Sequence, residues 1–192
     1  MRDDIRKDLE SFGFGPNLLQ AALRQFPKKM WCYQTSPDRW SIHDIVIHLA
    51  DSEASTYVRC RRIIAEPGSA ILKFDGERWA KSLGYFNQSA REALDIIFYL
   101  RKATHKLLGG LPDHVWDNSV IHPRVGQITL KKWISIQERH IPHHIDQMRD
   151  NYNSWYKLHP PRKSASRLQS VSENLSESVA AESFQASGLK YC

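Results

Sequence analysis

The sequence is poor in the residues that mark several classes of protein. Its 192 residues include only three cysteines, nine glycines and nine prolines, which excludes a disulfide-rich scaffold, a collagen-like repeat and a wholly disordered chain. No run approaches the roughly 18 apolar residues that a membrane span needs, and no apolar signal-peptide core follows the N-terminus. These absences predict a globular, cytoplasmic protein that does not bind membranes.

The cysteines also exclude one kind of metal site. Cys32, Cys60 and Cys192 lie far apart and form no C-x-x-C pair. Their odd number and wide spacing predict free thiols in a reducing compartment. A metal site built from thiolates is therefore not expected, and any metal ligands must come from other side chains.

The chain carries a moderate positive charge. It has 27 Lys and Arg against 21 Asp and Glu, a formal net charge of +6. The basic residues form no continuous tract and are not interleaved with aromatic residues, so the usual footprint of a nucleic-acid-binding protein is missing. A basic surface that binds nucleic acid stays as a weaker alternative, which predicts an affinity that falls steeply with salt.

Helical periodicity dominates the chain. Apolar residues recur three and four positions apart, and alternating runs of Val, Ile and Thr are almost absent, which predicts an all-α four-helix bundle. Helices two and three are expected to be joined by a long ordered loop over residues 67–87. The four helices are predicted over about 3–26 with a break at Gly13–Pro16, from a Ser41 cap to Pro67, over about 88–108, and over about 130–155.

Local signals refine these helices. Ser41 with Asp44 three residues later approximates a capping box, and Thr129 can cap the fourth helix. Residues 115–128 are predicted to be irregular, with room for a short strand. Pro142 predicts a bend in the fourth helix or, as an alternative, a helix boundary that leaves the histidines beside it on a loop.

The composition changes near residue 160. Residues 1–160 contain all four predicted helices and are expected to form one bundle. Residues 161–192 are rich in serine and contain no tryptophan, which predicts a tail outside the core. A short docking helix within this tail is the alternative.

Nine histidines are a surplus for a helical protein, and three of them are predicted to point inward. At roughly 100° per residue, His140 and His144 lie about 40° apart on one flank of the apolar face, whereas His143 points to solvent. His48 lies about 60° from the centre of the apolar stripe of helix two, still inside the bundle.

Three neutral imidazoles can bind one divalent cation and leave positions open for water and substrate, as catalytic metal sites do. The alternative is that each histidine is a hydrogen-bonded residue of the core. A zinc protease of the H-E-x-x-H type is excluded, because Ile141 and Pro142 follow His140.

Three further residues are candidates for supporting roles at this site. Gln137 and Asp44 could orient the ligands, although Asp44 is more typical of a helix cap. Arg59 could receive an anionic substrate or be a solvated surface residue.

Two segments resemble a known family. Residues 40–53 (WSIHDIVIHLADSE) and 138–148 (ERHIPHHIDQM) resemble the tryptophan-containing start of helix two and the H-x-x-H-H segment of the DinB/YfiT-like superfamily of four-helix metal-binding proteins. The similarity in layout covers about residues 1–157 and leaves out the tail.

The resemblance implies a bundle of the DinB/YfiT type that holds a divalent metal, zinc or nickel, through His48, His140 and His144. It also implies a homodimer and a small-molecule substrate, which is either hydrolysed or transferred with a low-molecular-weight thiol such as bacillithiol or mycothiol as co-substrate. A non-catalytic stress-response or partner-binding module that binds metal is the alternative. The sequence assigns no residue a catalytic role.

Overall fold

The structure of the chain, a computed structural model, describes residues 2–160. The tail predicted for residues 161–192 lies outside the described residues. In the described part, three short 3-10 helices connect longer elements. The longer elements are the helices α1 (Asp3–Leu23), α2 (Ile42–Ala65), α3 (Gly76–Leu83), α4 (Ala90–Gly109), α5 (Leu130–Gln137) and α6 (His140–Leu158), and the strands β1 (Ser119–His122) and β2 (Gly126–Thr129).

The helices pack as a four-helix bundle in which α5 and α6 together take the place of the fourth helix. α2 packs most extensively against α4, α4 also contacts α1, and α1 contacts both α5 and α6. The prediction of an all-α bundle with a long connection between its second and third long helices is confirmed. The small antiparallel hairpin of β1 and β2 occupies the region predicted to be irregular with a short strand.

The predicted break in the first helix is wrong. α1 runs without interruption through Gly13–Pro16 and ends at Leu23, three residues before the predicted end. Phe12 and Leu19 on either side of the proline are fully buried, so their packing outweighs the local preference for a break. Gly15 brings the helix close to α6, since a Cβ there would lie 3.0 Å from Cδ1 of Ile141.

The predicted caps are confirmed. The backbone N–H of Asp44 donates to Oγ of Ser41 at 3.1 Å, and Oδ2 of Asp44 accepts from the backbone N–H of Ser41 at 3.0 Å. This complete capping box fixes the first residue of α2. Thr129 caps α5 by accepting from the backbone N–H of Lys132 at 3.2 Å.

The long connection is more ordered than a loop. Its first part pairs with β1, with the backbone N–H of Ile71 donating to the carbonyl of Ile121 at 3.0 Å. Its second part forms α3, whose cap Asp75 accepts from the backbone N–H of Arg78. None of the side chains of α3 is fully buried, and the helix is only eight residues long, shorter than the window of 11–18 residues over which helical periodicity is recognised.

The fourth predicted helix is divided. α5 ends at Gln137 and α6 begins at His140. Pro142 is the third residue of α6, where the lack of an N–H donor costs no intrahelical hydrogen bond. The interpretation of Pro142 as marking a helix boundary therefore holds, but the histidines beside it lie on α6 and not on a loop.

Within the described residues, no helix combines the length and apolar character needed to cross a bilayer.

Cys60 is a buried free thiol, and burial raises its pKa to about 12. Cys32 is not free, so the prediction of three free thiols is wrong at that position. Cys192 lies outside the described residues.

Candidate metal centre

Three histidine side chains meet between α2 and α6. Each of His48, His140 and His144 offers one ring nitrogen, and these atoms all lie within 4.8 Å of one another. The Nε2 atoms of His140 and His144 are 3.1 Å apart. Two nitrogens bound to one tetrahedral zinc ion at 2.0–2.1 Å would be about 3.3 Å apart, so this spacing suits a shared cation.

The local sequence explains this convergence. His140 and His144 stand one turn apart at the start of α6, so their side chains project from the same side of that helix. His48 lies in the second turn of α2, whose start is fixed by the capping box. Nδ2 of Asn151 on α6 donates to the carbonyl oxygen of Trp40 at 2.8 Å, which ties α6 to the segment just before α2.

Polar side chains contact Nδ1 of two of the rings. Nδ1 of His144 lies 2.9 Å from Oε1 of Gln147. Because an amide oxygen can only accept, Nδ1 carries the proton and Nε2 is left with a lone pair for a ligand. Nδ1 of His140 has a longer contact of 3.4 Å with Oγ of Ser52. Both contacts leave the facing Nε2 atoms of the two rings available.

Aromatic rings enclose the histidines on one side. The ring of Trp40 lies 4.4 Å from that of His48 and 6.1 Å from that of His144, measured between centroids. Phe74 stacks on His48 at 5.8 Å and meets Trp79 at 4.9 Å. These apolar faces shield the nitrogens from bulk water and strengthen electrostatic interactions at the centre.

Burial keeps all three histidines neutral. Burial and, to a smaller extent, nearby cationic groups, first among them His144, together lower the pKa of His48 to about 3 and that of His140 to about 2. The pKa of His144 falls to about 4 by burial, although the hydrogen bond with Gln147 acts in the opposite direction. Metal ligation requires neutral imidazole, which these side chains supply across the physiological range.

A groove of about 960 Å³ lies beside the cluster. Trp40 and Gln147, which both contact His144, form part of its wall. Acidic side chains such as Asp38 and Asp150 line it together with Arg39. Its size falls in the range of sites that accept small organic molecules.

Three other predicted roles are not supported by the contacts. Asp44 completes the capping box, as the more typical alternative had it, and also accepts from Nε2 of Gln34 at 3.3 Å. Gln137 accepts a hydrogen bond from Thr56 at 3.1 Å and does not orient His140. Arg59 is buried, donates to the carbonyl of Leu72 at 2.7 Å and lies over the ring of Trp133, so it is neither a solvated residue nor free to receive a substrate.

Gln147 and Ser52 were not among the residues predicted to orient the ligands. Gln147 follows His144 by three positions, and Ser52 follows His48 by four. The first spacing places a residue on the same helix face as its histidine and could have identified Gln147. Ser52 serves a histidine on another helix, which no spacing along one helix reveals. His143 is exposed as predicted.

Comparisons with known proteins agree with this architecture. A sequence model of the DinB superfamily matches residues 12–148. The protein named "Putative metal-dependent hydrolase OB0782" from Oceanobacillus iheyensis is 31% identical over 106 residues, which cover 55% of this chain and 61% of that protein. The protein of the same designation named YfiT, from Bacillus subtilis, is 27% identical over 107 residues, which cover 55% of this chain and 60% of its own length. The chain thus spans about three fifths of these two curated relatives.

A solved structure shares the fold. YfiT from Bacillus subtilis, described as "a probable metal-dependent hydrolase with an unusual four-helix bundle topology", superposes with a TM-score of 0.73. The superposition covers 81% of this chain and 90% of that one at 21% sequence identity. At this identity the match establishes the bundle topology of the chain and leaves its reaction to be argued from the site.

Proposed function

Since the chain belongs to the DinB superfamily, we propose that it is a metal-dependent hydrolase whose divalent ion, zinc or nickel, is held by His48, His140 and His144. The observation that carries the proposal is the convergence of three neutral imidazoles within 4.8 Å. The names of the relatives in Oceanobacillus and Bacillus support the same chemistry. Imidazole ligands suit zinc and nickel alike.

The chain's own residues prepare the centre. Three protein ligands leave at least one position of a divalent ion open, as catalytic sites require. When bound, such an ion supplies Lewis acidity, which activates a water or thiol nucleophile at neutral pH and polarises a substrate oxygen. Gln147 fixes the tautomer of His144, and Trp40 excludes water from one side. The adjoining groove receives the remainder of a small-molecule substrate.

Metal content is the first test. Protein purified without an affinity tag should contain one divalent ion per chain by elemental analysis. His144→Ala should lose most of it, because only two nitrogen ligands remain. His114→Ala, which changes an exposed histidine outside the centre, should retain it. Wild-type protein that takes up no ion at stoichiometric zinc or nickel would refute the proposal.

Turnover is the second test, and it separates the possible reactions. The metal-loaded protein is assayed with ester and amide substrates, and with electrophiles in the presence and absence of low-molecular-weight thiols. Hydrolysis that His144→Ala abolishes supports the hydrolase, whereas turnover that requires a thiol identifies an S-transferase at the same centre. Metal binding without turnover would favour the non-catalytic metal-binding module.

A homodimer in the cytoplasm is the assembly we propose for this enzyme. α1 and α4, which pack together, expose large apolar side chains, among them Phe14 (61% exposed) and Tyr99 (65% exposed). The proposed dimer would bury these side chains at its interface. Light scattering should give a mass twice that of the chain, and a monomer at high micromolar concentration would contradict the dimer.

A further inference from the structure

The three histidine rings are held in place in different ways. His140 and His144 each have a polar partner for Nδ1, namely Ser52 and Gln147. Nδ1 of His48 is buried and has no hydrogen-bond partner among the described residues. Since the residue is only 6% exposed, bulk water does not replace that partner. The position of the His48 ring therefore depends on packing.

The closest packing comes from the first residue of α3. A Cβ atom at Gly76 would lie 2.6 Å from Cε1 and 2.8 Å from Nδ1 of His48. Carbon atoms in contact normally lie about 3.5–4.0 Å apart, so no side chain fits between α3 and the ring. The backbone of Gly76 does not have a positive φ, and the requirement for glycine is steric and not conformational.

The ring has no room to move away from a larger residue. Trp40 faces it at 4.4 Å between centroids, and His144 lies at 4.9 Å. Phe74 stacks at 5.8 Å. A methyl group at position 76 would therefore push His48 towards or past the other two histidines and disturb their common point.

α3 is also held in place at both ends. Before it, Arg59 donates to the carbonyl oxygen of Leu72 at 2.7 Å. After it, Tyr85 is buried and its hydroxyl donates to Oδ2 of Asp51 at 2.5 Å. These anchors fix the connection against α2, so the start of α3 forms a firm wall beside His48.

We propose that Gly76 is a positioning residue for the metal centre: the start of α3 holds the His48 ring by close contact, in place of the hydrogen bonds that orient the other two ligands. This inference rests on the proposed function, since a bound ion is what makes the ring position measurable. It adds a residue with no polar side chain to those on which the metal affinity depends.

The test is a pair of glycine substitutions compared by Zn²⁺ affinity in competition with a chromophoric chelator. Gly76→Ala should bind Zn²⁺ about 10–100-fold more weakly, the loss typical of removing an orienting contact from a ligand. Gly109→Ala is the matched control, because a Cβ there meets nothing within 4 Å. Its affinity should equal that of the wild type, and both variants should keep wild-type circular dichroism.

The Co²⁺ form gives an independent readout. Displacement of one nitrogen ligand should shift and weaken the ligand-field absorption of the Gly76→Ala protein, while Gly109→Ala should keep the wild-type spectrum. A Gly76→Ala protein with unchanged Zn²⁺ affinity and Co²⁺ spectrum would show that α3 shifts to accommodate the methyl group while the His48 ring keeps its position. The inference would then be wrong. A wild type that binds neither ion would instead refute the proposed function.

A second variant decides the matter if Gly76→Ala lowers the helical content. Phe74→Leu removes the ring that stacks on His48 without a change at the backbone of α3. It should weaken Zn²⁺ binding in the same direction and by a smaller factor. Wild-type affinity in that folded variant would overturn the inference.

Discussion

α2 carries two groups of buried polar side chains five residues apart, and the two are completed in opposite ways. Glu53 receives a bond from Nε of Arg101 at 2.8 Å and a second one from Nη2, and Nη1 of Arg101 donates to the carbonyl of Phe12 at 3.0 Å. Both charged side chains are 1% exposed. His48 meets two other histidines whose nitrogens face one another.

The two groups on α2 therefore differ in whether the protein itself supplies all their partners. The ion pair satisfies its charges within the protein, and the hydrogen bonds of Arg101 link α1, α2 and α4. In the histidine cluster, Nε2 of His140 and Nε2 of His144 face each other, and Nδ1 of His48 has no hydrogen-bond partner among the described residues. The proposed cation would bind between the three rings, whereas the ion pair has no place for a ligand.

The largest expected effect comes from breaking the ion pair. Arg101→Met leaves the Glu53 carboxylate buried without its partner, which should lower the free energy of unfolding by about 3–5 kcal/mol. Urea unfolding measures the loss. The double variant Arg101→Met with Glu53→Leu should lose much less, since it removes both charges and retains apolar volume.

An equal loss in the single and the double variant would break the comparison. It would mean that shape, and not the compensation of charge, makes this region stable. Metal-free His144→Ala protein should lose less free energy of unfolding than Arg101→Met, because the substitution removes no partner from a buried charge.

The second expected effect is a loss of stability at acid pH that originates in the histidine cluster. Burial lowers the pKa of His48 to about 3 and that of His144 to about 4, below the value of about 6.5 in an unfolded chain. Between these values the unfolded chain binds protons that the folded chain does not. Stability is therefore fully present above pH 6.5 and falls as the pH drops towards 4.

Each histidine can contribute at most about 1.4 kcal/mol per pH unit within this window. We expect each of the three histidines to lower the free energy of unfolding of the metal-free protein by an amount on the order of 1–2 kcal/mol between pH 6.5 and 5. His144→Gln should show a shallower decline, and the exposed His114→Gln the wild-type decline. Identical slopes in all three proteins would mean that the cluster is not the acid-sensitive region.

The parts of this site that the sequence predicts are those fixed by one helix. Ser41 sets the register of α2, and helical spacing then places His48 inside the bundle and His140 beside His144. Gln137 shows where such reasoning stops: α5 ends at that residue, so its distance of three positions from His140 does not place the two on one helix face. α3 was missed because its eight residues are too few for a helical period to be recognised.

The smallest expected effect compares the two hydrogen bonds within the cluster. Gln147 contacts His144 at 2.9 Å, whereas Ser52 contacts His140 at 3.4 Å. Gln147→Ala should weaken Zn²⁺ binding about tenfold, because the tautomer of His144 is no longer fixed. Ser52→Ala should weaken it less, since a contact of this length contributes little. Gln147→Glu keeps the accepting oxygen and should restore most of the affinity. Losses that are equal for Gln147→Ala and Ser52→Ala, with no recovery in Gln147→Glu, would show that packing holds all three rings as it holds His48.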